Sequence, residues 1–193
     1  MDHIFCPFEF KSDGDDDGTI RGYGSVFGNV DSYGDTVAKG AFKKTIADAK
    51  AGNTQWPVML SQHDSHTPIG IWTGMDEDER GLKLKGKLAI NTKRGADAYQ
   101  LLKMKPRPAF NGLSIGYRAK DYELHRTGPI KRTLKSIDLV ECSLVTFPAD
   151  RFARVQSVKS AWLDEEPEPV DNWKRNAWED FERLRRLMEH RPR

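Results

Sequence analysis

Apolar and polar positions alternate with a strand-like period through most of the first 158 residues. Residues 4–10 and 19–27 read as two strands of a hairpin, joined across residues 12–18. Residues 28–40 are rich in glycine and polar side chains and read as a loop. Residues 41–50 form a short helix, with Phe42, Ile46 and Ala49 on one face. Residues 58–60 are a short apolar strand that ends at Ser61-Gln62-His63-Asp64. Residues 68–75 and 81–90 pair across a charged turn, and Leu82, Leu84, Gly86, Leu88 and Ile90 share one face. Residues 92–105 read as a second helix, with Thr92 as N-cap, Ala96, Tyr99, Leu101 and Leu102 as its apolar stripe, and Pro106 as its stop.

A strand at residues 110–117 follows, then a polar edge strand and loop over 118–132. Residues 133–147 are strand-rich, with Leu139, Val140, Leu144, Val145 and Phe147 expected inside. Pro148-Ala149-Asp150 ends that run, and residues 152–158 add a short segment. Short strands with two inserted helices predict an α+β fold whose core is mostly β, barrel-like or a sandwich.

The pattern changes beyond residue 158. The organisation expected is a globular domain over 1–158, an acidic proline-containing linker over 159–171, and an amphipathic helix over 172–193. On that helix Trp173, Ala177, Phe181, Leu184 and Met188 recur at helical steps. Such a helix either folds back on the core or docks the chain onto a partner.

Composition narrows the class. The chain has 193 residues, 37% hydrophobic and 31% charged, enough for one domain with a proper core. A net charge of +2 gives no pull toward nucleic acid or membrane. No apolar run is long enough to span a bilayer, and the amino end lacks a signal-peptide pattern. Cys6 and Cys142 have no metal-type spacing and read as free thiols, so a soluble intracellular protein is expected. The four aspartates in residues 12–18 lack the alternation and closing glutamate of a calcium loop and read as a solvated turn.

The chemistry is concentrated at Phe110-Asn111-Gly112-Leu113-Ser114-Ile115-Gly116-Tyr117. On a strand Ser114 faces away from Leu113 and Ile115, so with those two inside, its hydroxyl faces a groove. The flanking glycines give another backbone room to approach. The run continues as strand and does not turn into a helix, which separates it from the nucleophile elbow of the hydrolases. His63 stands at a strand end. Glu141 lies in an apolar strand, where an unpaired carboxylate is costly and a histidine partner lowers that cost. Serine, histidine and carboxylate are the parts of an acyl-transfer triad.

At these residues the chain resembles the prohead maturation proteases of tailed bacteriophages, whose fold is similar to that of the herpesvirus capsid-maturation protease. The resemblance runs from about Gly22 to about Phe152. It rests on Gly22-Tyr-Gly-Ser-Val-Phe-Gly-Asn-Val-Asp31, Asp35-Thr-Val-Ala-Lys-Gly-Ala-Phe42, His63-Asp64, Pro68-Ile-Gly70, Asn111-Gly-Leu-Ser-Ile-Gly-Tyr117 and Asp138-Leu-Val-Glu-Cys-Ser-Leu-Val-Thr-Phe-Pro-Ala149. It implies a serine endopeptidase with Ser114 as nucleophile, His63 as general base and Glu141 as third member, and no cofactor. In the herpesvirus relatives a second histidine takes the third role. Cys142 stands where the family often has valine, a near-neutral exchange for a small buried thiol. Herpesvirus relatives use an arginine near the oxyanion; Arg151 lies near the matching turn but is expected to be a surface residue.

The resemblance also implies a setting: the host cytoplasm, inside the immature head. The substrates would be the scaffolding protein or the scaffold segment of the major capsid protein, and then the protease itself. A homodimer is left open, with no nucleic-acid or membrane partner. Three rival readings remain. A zinc hydrolase would use His63, His66 and His125, but His63 and His66 lack the helical spacing of a zincin. A non-catalytic capsid or scaffold assembly protein could keep the same fold. A cysteine protease would use Cys142, which has no base beside it in sequence.

Overall fold

The computed structural model describes residues 9–11 and 17–159. The linker expected at 159–171 and the helix expected at 172–193 lie outside these residues, apart from Lys159, as do Cys6 and most of the first strand of the predicted hairpin. The elements, in order, are β1 (Glu9–Lys11), β2 (Thr19–Val26), β3 (Asp35–Val37), α1 (Lys43–Lys50), β4 (Val58–Ser61) and β5 (Asp64–Glu77). They continue with β6 (Gly81–Leu88), α2 (Lys93–Lys103), β7 (Gly112–Leu124), β8 (Arg132–Val145) and β9 (Val155–Lys159).

All the described strands join one mixed sheet, and the two helices make this a sheet-dominated α+β fold. Hydrogen-bonded neighbours run β1-β9-β2-β6-β5-β4-β8-β3, with β7 also paired to β8. β7 follows β8 along nearly its whole length, so the parallel strands β3 and β4 share the opposite edge of β8. Leu82, Leu84 and Leu88 of β6 point inward as the alternation predicts, beside Ile69, Trp72 and Met75 of β5. Leu113, Ile137, Leu139, Cys142 and Leu144 complete the wall that carries the site. The Trp72 indole N–H donates to the Cys142 carbonyl at 3.2 Å, which satisfies the polar atom of a buried ring.

Both helices cover the sheet with the faces their sequences predict. Phe42, Ile46 and Ala49 are buried on and beside α1, and the Thr45 hydroxyl accepts from the Leu139 N–H of β8 at 3.1 Å. Thr92 caps α2 by accepting from the Gly95 N–H. The stripe of α2 differs at two residues: Gly95 and Ala98 are buried with Tyr99 and Leu102, while Ala96 is half-buried and Leu101 exposed.

Three expectations are corrected. The sheet is open and not a closed barrel, since closure needs a ladder all the way round. Between β7 and the segment entering β9 there is only an isolated bridge, Gly112–Arg154, flanked by bonds from Leu113 N–H to the Ala153 carbonyl and from Val155 N–H to the Asn111 carbonyl. β1 does not pair with β2 as a hairpin. Both edges of β2 are taken, by β6 and β9, and β1 runs parallel to β9 on its far side. Finally, Val140 and Phe147 are exposed, at 40% and 90%, where a buried run was expected.

Candidate active site

The site begins with the way β4 delivers its last residues. β4 runs parallel to β8, with Val58 beside Glu141 and Leu60 beside Ser143. Beyond Ser61 the chain must reverse at once, because β5 starts at Asp64 and pairs back onto β4. Gln62 and His63 make that reversal with φ of +55° and +60°. Two successive non-glycine residues in the left-handed region store strain, and such strain persists only where surrounding bonds fix it. The bonds come from β8 and the residue after it. Gln62 N–H donates to the Leu144 carbonyl at 2.8 Å, its amide donates to the Thr146 hydroxyl at 3.0 Å, and Thr146 N–H returns a bond to Gln62 Oε1 at 3.2 Å. The result holds the imidazole over β7 and β8.

On those strands Ser114 pairs with Ser143 and Gly116 with Glu141. Same-face alternation then sets Ser114, Glu141 and Ser143 together, with Leu113, Cys142 and Leu144 on the opposite, core side. Glu141 reaches that face through a β-bulge. Gly116 pairs with Glu141 but Tyr117 pairs with Leu139, so Val140 is an extra residue. Ile137 and Leu139 point into the core, and strict alternation would have sent Glu141 after them. The bulge shifts the phase and turns the carboxylate outward.

The three predicted residues are brought together. His63 Nε2 lies 2.9 Å from Ser114 Oγ, and His63 Nδ1 lies 2.6 Å from Glu141 Oε1. An ionised carboxylate only accepts, so the Nδ1 proton faces Glu141 and Nε2 is left to accept from the Ser114 hydroxyl. The His63 side chain is 43% exposed and that of Glu141 12%, so the pair sits at the mouth of the site with its carboxylate sheltered. Ser143 Oγ donates to Glu141 Oε2, which occupies the second carboxylate oxygen. A groove of about 490 Å³ opens beside Ser114 and His63, lined also by Ile115, Tyr117, Asp35 and Arg132.

Several residues that sequence reasoning passed over shape this groove. The Asp150 carboxylate accepts from Val26 N–H at 2.7 Å, from the Asn29 amide at 2.6 Å and from Phe152 N–H at 2.9 Å, tying two groove-lining segments together. Arg132 clasps Asp35 through two nitrogens, and the Tyr117 hydroxyl donates to Asp35 at 3.2 Å. The Tyr117 hydroxyl is pushed up to about 12, mainly by burial and then by the Asp35 charge. Gly116 supplies space: a Cβ there would lie 2.2 Å from Glu141 Oε1. The signals for these roles were single polar or glycine residues inside motifs, with nothing local to set them apart.

The rival readings find no cluster here. Asp64 accepts from His66 N–H and from the Thr67 hydroxyl, and His125 bonds to Thr133. Among the described residues no three histidine, cysteine, aspartate or glutamate side chains converge as a metal site. Cys142 points into the core, and burial pushes its thiol well above the usual range, which suppresses the nucleophilic thiolate. Arg151 is exposed and lies over the Phe152 ring.

Among solved structures, a Kaposi's sarcoma herpesvirus (KSHV) protease bound to a hexapeptide phosphonate inhibitor aligns over 71% of this chain and 63% of that one, with a TM-score of 0.41 and 13% identity. The Kaposi's sarcoma herpesvirus protease with an allosteric inhibitor aligns over 90% of this chain and 92% of that one, with a TM-score of 0.37 and 12% identity. The prohead protease of Enterobacteria phage HK97 is 34% identical over 177 residues, spanning 90% of this chain and 75% of that protein. A sequence profile described as caudovirus prohead serine protease matches residues 7–166, which include β2 to β9 and all three residues of the hydrogen-bonded chain. On the extent of that match, this chain belongs to the caudovirus prohead serine protease family.

Proposed function

We propose that this prohead protease is a serine endopeptidase that works by acyl transfer through Ser114, with His63 as base and Glu141 as the group that orients it. The observation that carries the reading is the continuous hydrogen-bonded chain from Ser114 Oγ through His63 to Glu141, at 2.9 and 2.6 Å. Ser114 Oγ attacks the carbonyl carbon of the scissile peptide while His63 Nε2 takes the hydroxyl proton. The tetrahedral intermediate collapses, the C–N bond breaks, and His63 returns the proton to the leaving amine. Water, activated by the same imidazole, then hydrolyses the acyl-enzyme. Glu141 keeps the Nδ1 proton in place and stabilises the imidazolium that forms at each proton transfer.

The substrates are the scaffolding protein or the scaffold segment of the major capsid protein, and then the protease itself, cut inside the immature head. An open groove beside the nucleophile suits an extended chain better than a small molecule. The test is incubation with the capsid precursor of the same phage. The protein is expected to cut the precursor and to take a fluorophosphonate label at Ser114. Ser114→Ala is expected to do neither and to keep its fold, with a rate loss of about 10⁴-fold or more. Full cleavage by the alanine variant overturns the assignment.

A further inference from the structure

We infer that Ser143 is a positioning residue for the reaction, acting through Glu141, an inference that rests on the role proposed for that carboxylate. Ser143 is the register partner of Ser114 across β7 and β8 and lies two residues from Glu141 on the same strand face. It is wholly buried, so no solvent satisfies its hydroxyl. That hydroxyl donates to Glu141 Oε2, the carboxylate oxygen that His63 does not use.

The need for such a pin follows from the side chain. A glutamate in the third position has one more rotatable bond than an aspartate, and each free torsion lets the carboxylate swing away from Nδ1. Two features confine it here. The hollow at Gly116 admits Oε1, and the Ser143 hydroxyl fixes Oε2. The carboxylate plane is then set on both oxygens before substrate arrives, and the charge that must face the imidazolium is held at Oε1. The bond is charge-assisted and sheltered from water, which makes it stronger than a neutral surface bond. The fixed backbone of β8 makes the bond local, since residues i and i+2 of one strand share a face.

The experiment is a double-mutant cycle read with the phage's own capsid precursor as substrate. Ser143→Ala removes one buried oxygen atom beside Glu141 and leaves the strand pairing in place. It is expected to lower kcat roughly 10- to 100-fold with KM unchanged, the scale typical of losing the partner that orients a functional side chain. In a Glu141→Ala background the hydroxyl has nothing to hold, so the same substitution is expected to change kcat no further. If Ser143→Ala melts too low to assay, Ser143→Cys carries the same cycle with a similar volume and a weaker donor. An equal fold-loss in both backgrounds assigns Ser143 to packing alone and overturns the inference, as does a wild-type kcat for the single variant. Glu141→Ala by itself separates the two failures: an undiminished rate there removes the third role of Glu141, and the Ser143 inference falls with it.

Discussion

At Gly116 a single hydrogen atom stands where any other side chain would collide with the carboxylate of the site. A Cβ built there meets Glu141 Oε1 at 2.2 Å, Cδ at 2.9 Å and Cγ at 2.9 Å. The strand can carry an alanine, because Gly116 does not have a positive φ. The cost therefore falls on the carboxylate, which must leave its place beside His63. Gly116→Ala is expected to lower kcat by about 10²- to 10⁴-fold, in the range for a triad whose base has lost its orienting group. Its thermal midpoint is expected to stay close to that of the parent. Steady-state rates beside a melting curve check both, and a rate within twofold of the parent sinks this role for Gly116. The seat of Ser114 was legible from Leu113 and Ile115 alone. The roles of its glycines were half legible. Gly112 does admit another backbone, the Val145 carbonyl of β8, at 2.6 Å from a built Cβ, but Gly116 makes room for a side chain that lies 25 positions away in sequence.

At the scale of elements, the long strands and both helices follow from periodicity, and the departures arise where pairing overrides local pattern. β3 has only three residues, too few to alternate visibly, and was read as loop. The bulge at Val140 has no sequence mark of its own, since a valine is as fit for a regular strand as for an extra position. The sharp turn after β4 is similar: glutamine has little propensity for positive φ and histidine only a modest one, and the turn exists because β5 must pair back at once. That turn predicts a consequence. The Gln62 amide and Thr146 exchange two bonds that hold the turn to the residue beyond β8. Gln62→Ala keeps the backbone bond to Leu144 but loses both side-chain bonds. His63 then samples other orientations, and kcat is expected to fall about tenfold with little change in KM. The surface position keeps the stability change within about 1 kcal/mol. Thr146→Ala, which loses only one of the two bonds, is expected to lose less. A Gln62→Ala variant with an unchanged kcat would show that backbone pairing, with the bond to the Leu144 carbonyl, holds the turn without the side chain.

At the scale of the molecule, short strands led to the expectation of a barrel, and the structure answers with an open sheet joined at Gly112–Arg154 by a single bridge. Sequence pattern fixes which face of a strand is apolar, but closure depends on how far the last strands run together, and β7 and β8 extend as a long pair in which the outer half of β7 is largely exposed while β8 still buries Leu134 and Ile137. What anchors that pair near the groove is the cluster of Asp35, Tyr117 and Arg132, one residue from each of β3, β7 and β8. Asp35 and Arg132 form the ion pair, and the neutral Tyr117 hydroxyl donates to the same carboxylate. Burial deprives the ionised tyrosinate of its hydration, and that charge would also face Asp35 across the bond. Its folded-state value therefore rises from 10.0 to about 12. Below pH 10 both the folded and unfolded chains hold this proton, and stability does not depend on it. Between pH 10 and 12 the unfolded chain loses the proton while the folded chain keeps it, so stability falls as pH rises through this window. Above it the contribution is fully lost. Tyr23 is raised as well, chiefly by burial, and adds a decline of the same sign. Tyr117→Phe removes the contribution of this hydroxyl. Denaturant midpoints measured at steps from pH 9 to pH 12 are expected to fall less steeply for this variant than for the parent, whatever its stability at pH 9. Parallel declines would mean that Tyr117 titrates alike in both states and that the cluster does not bind its proton.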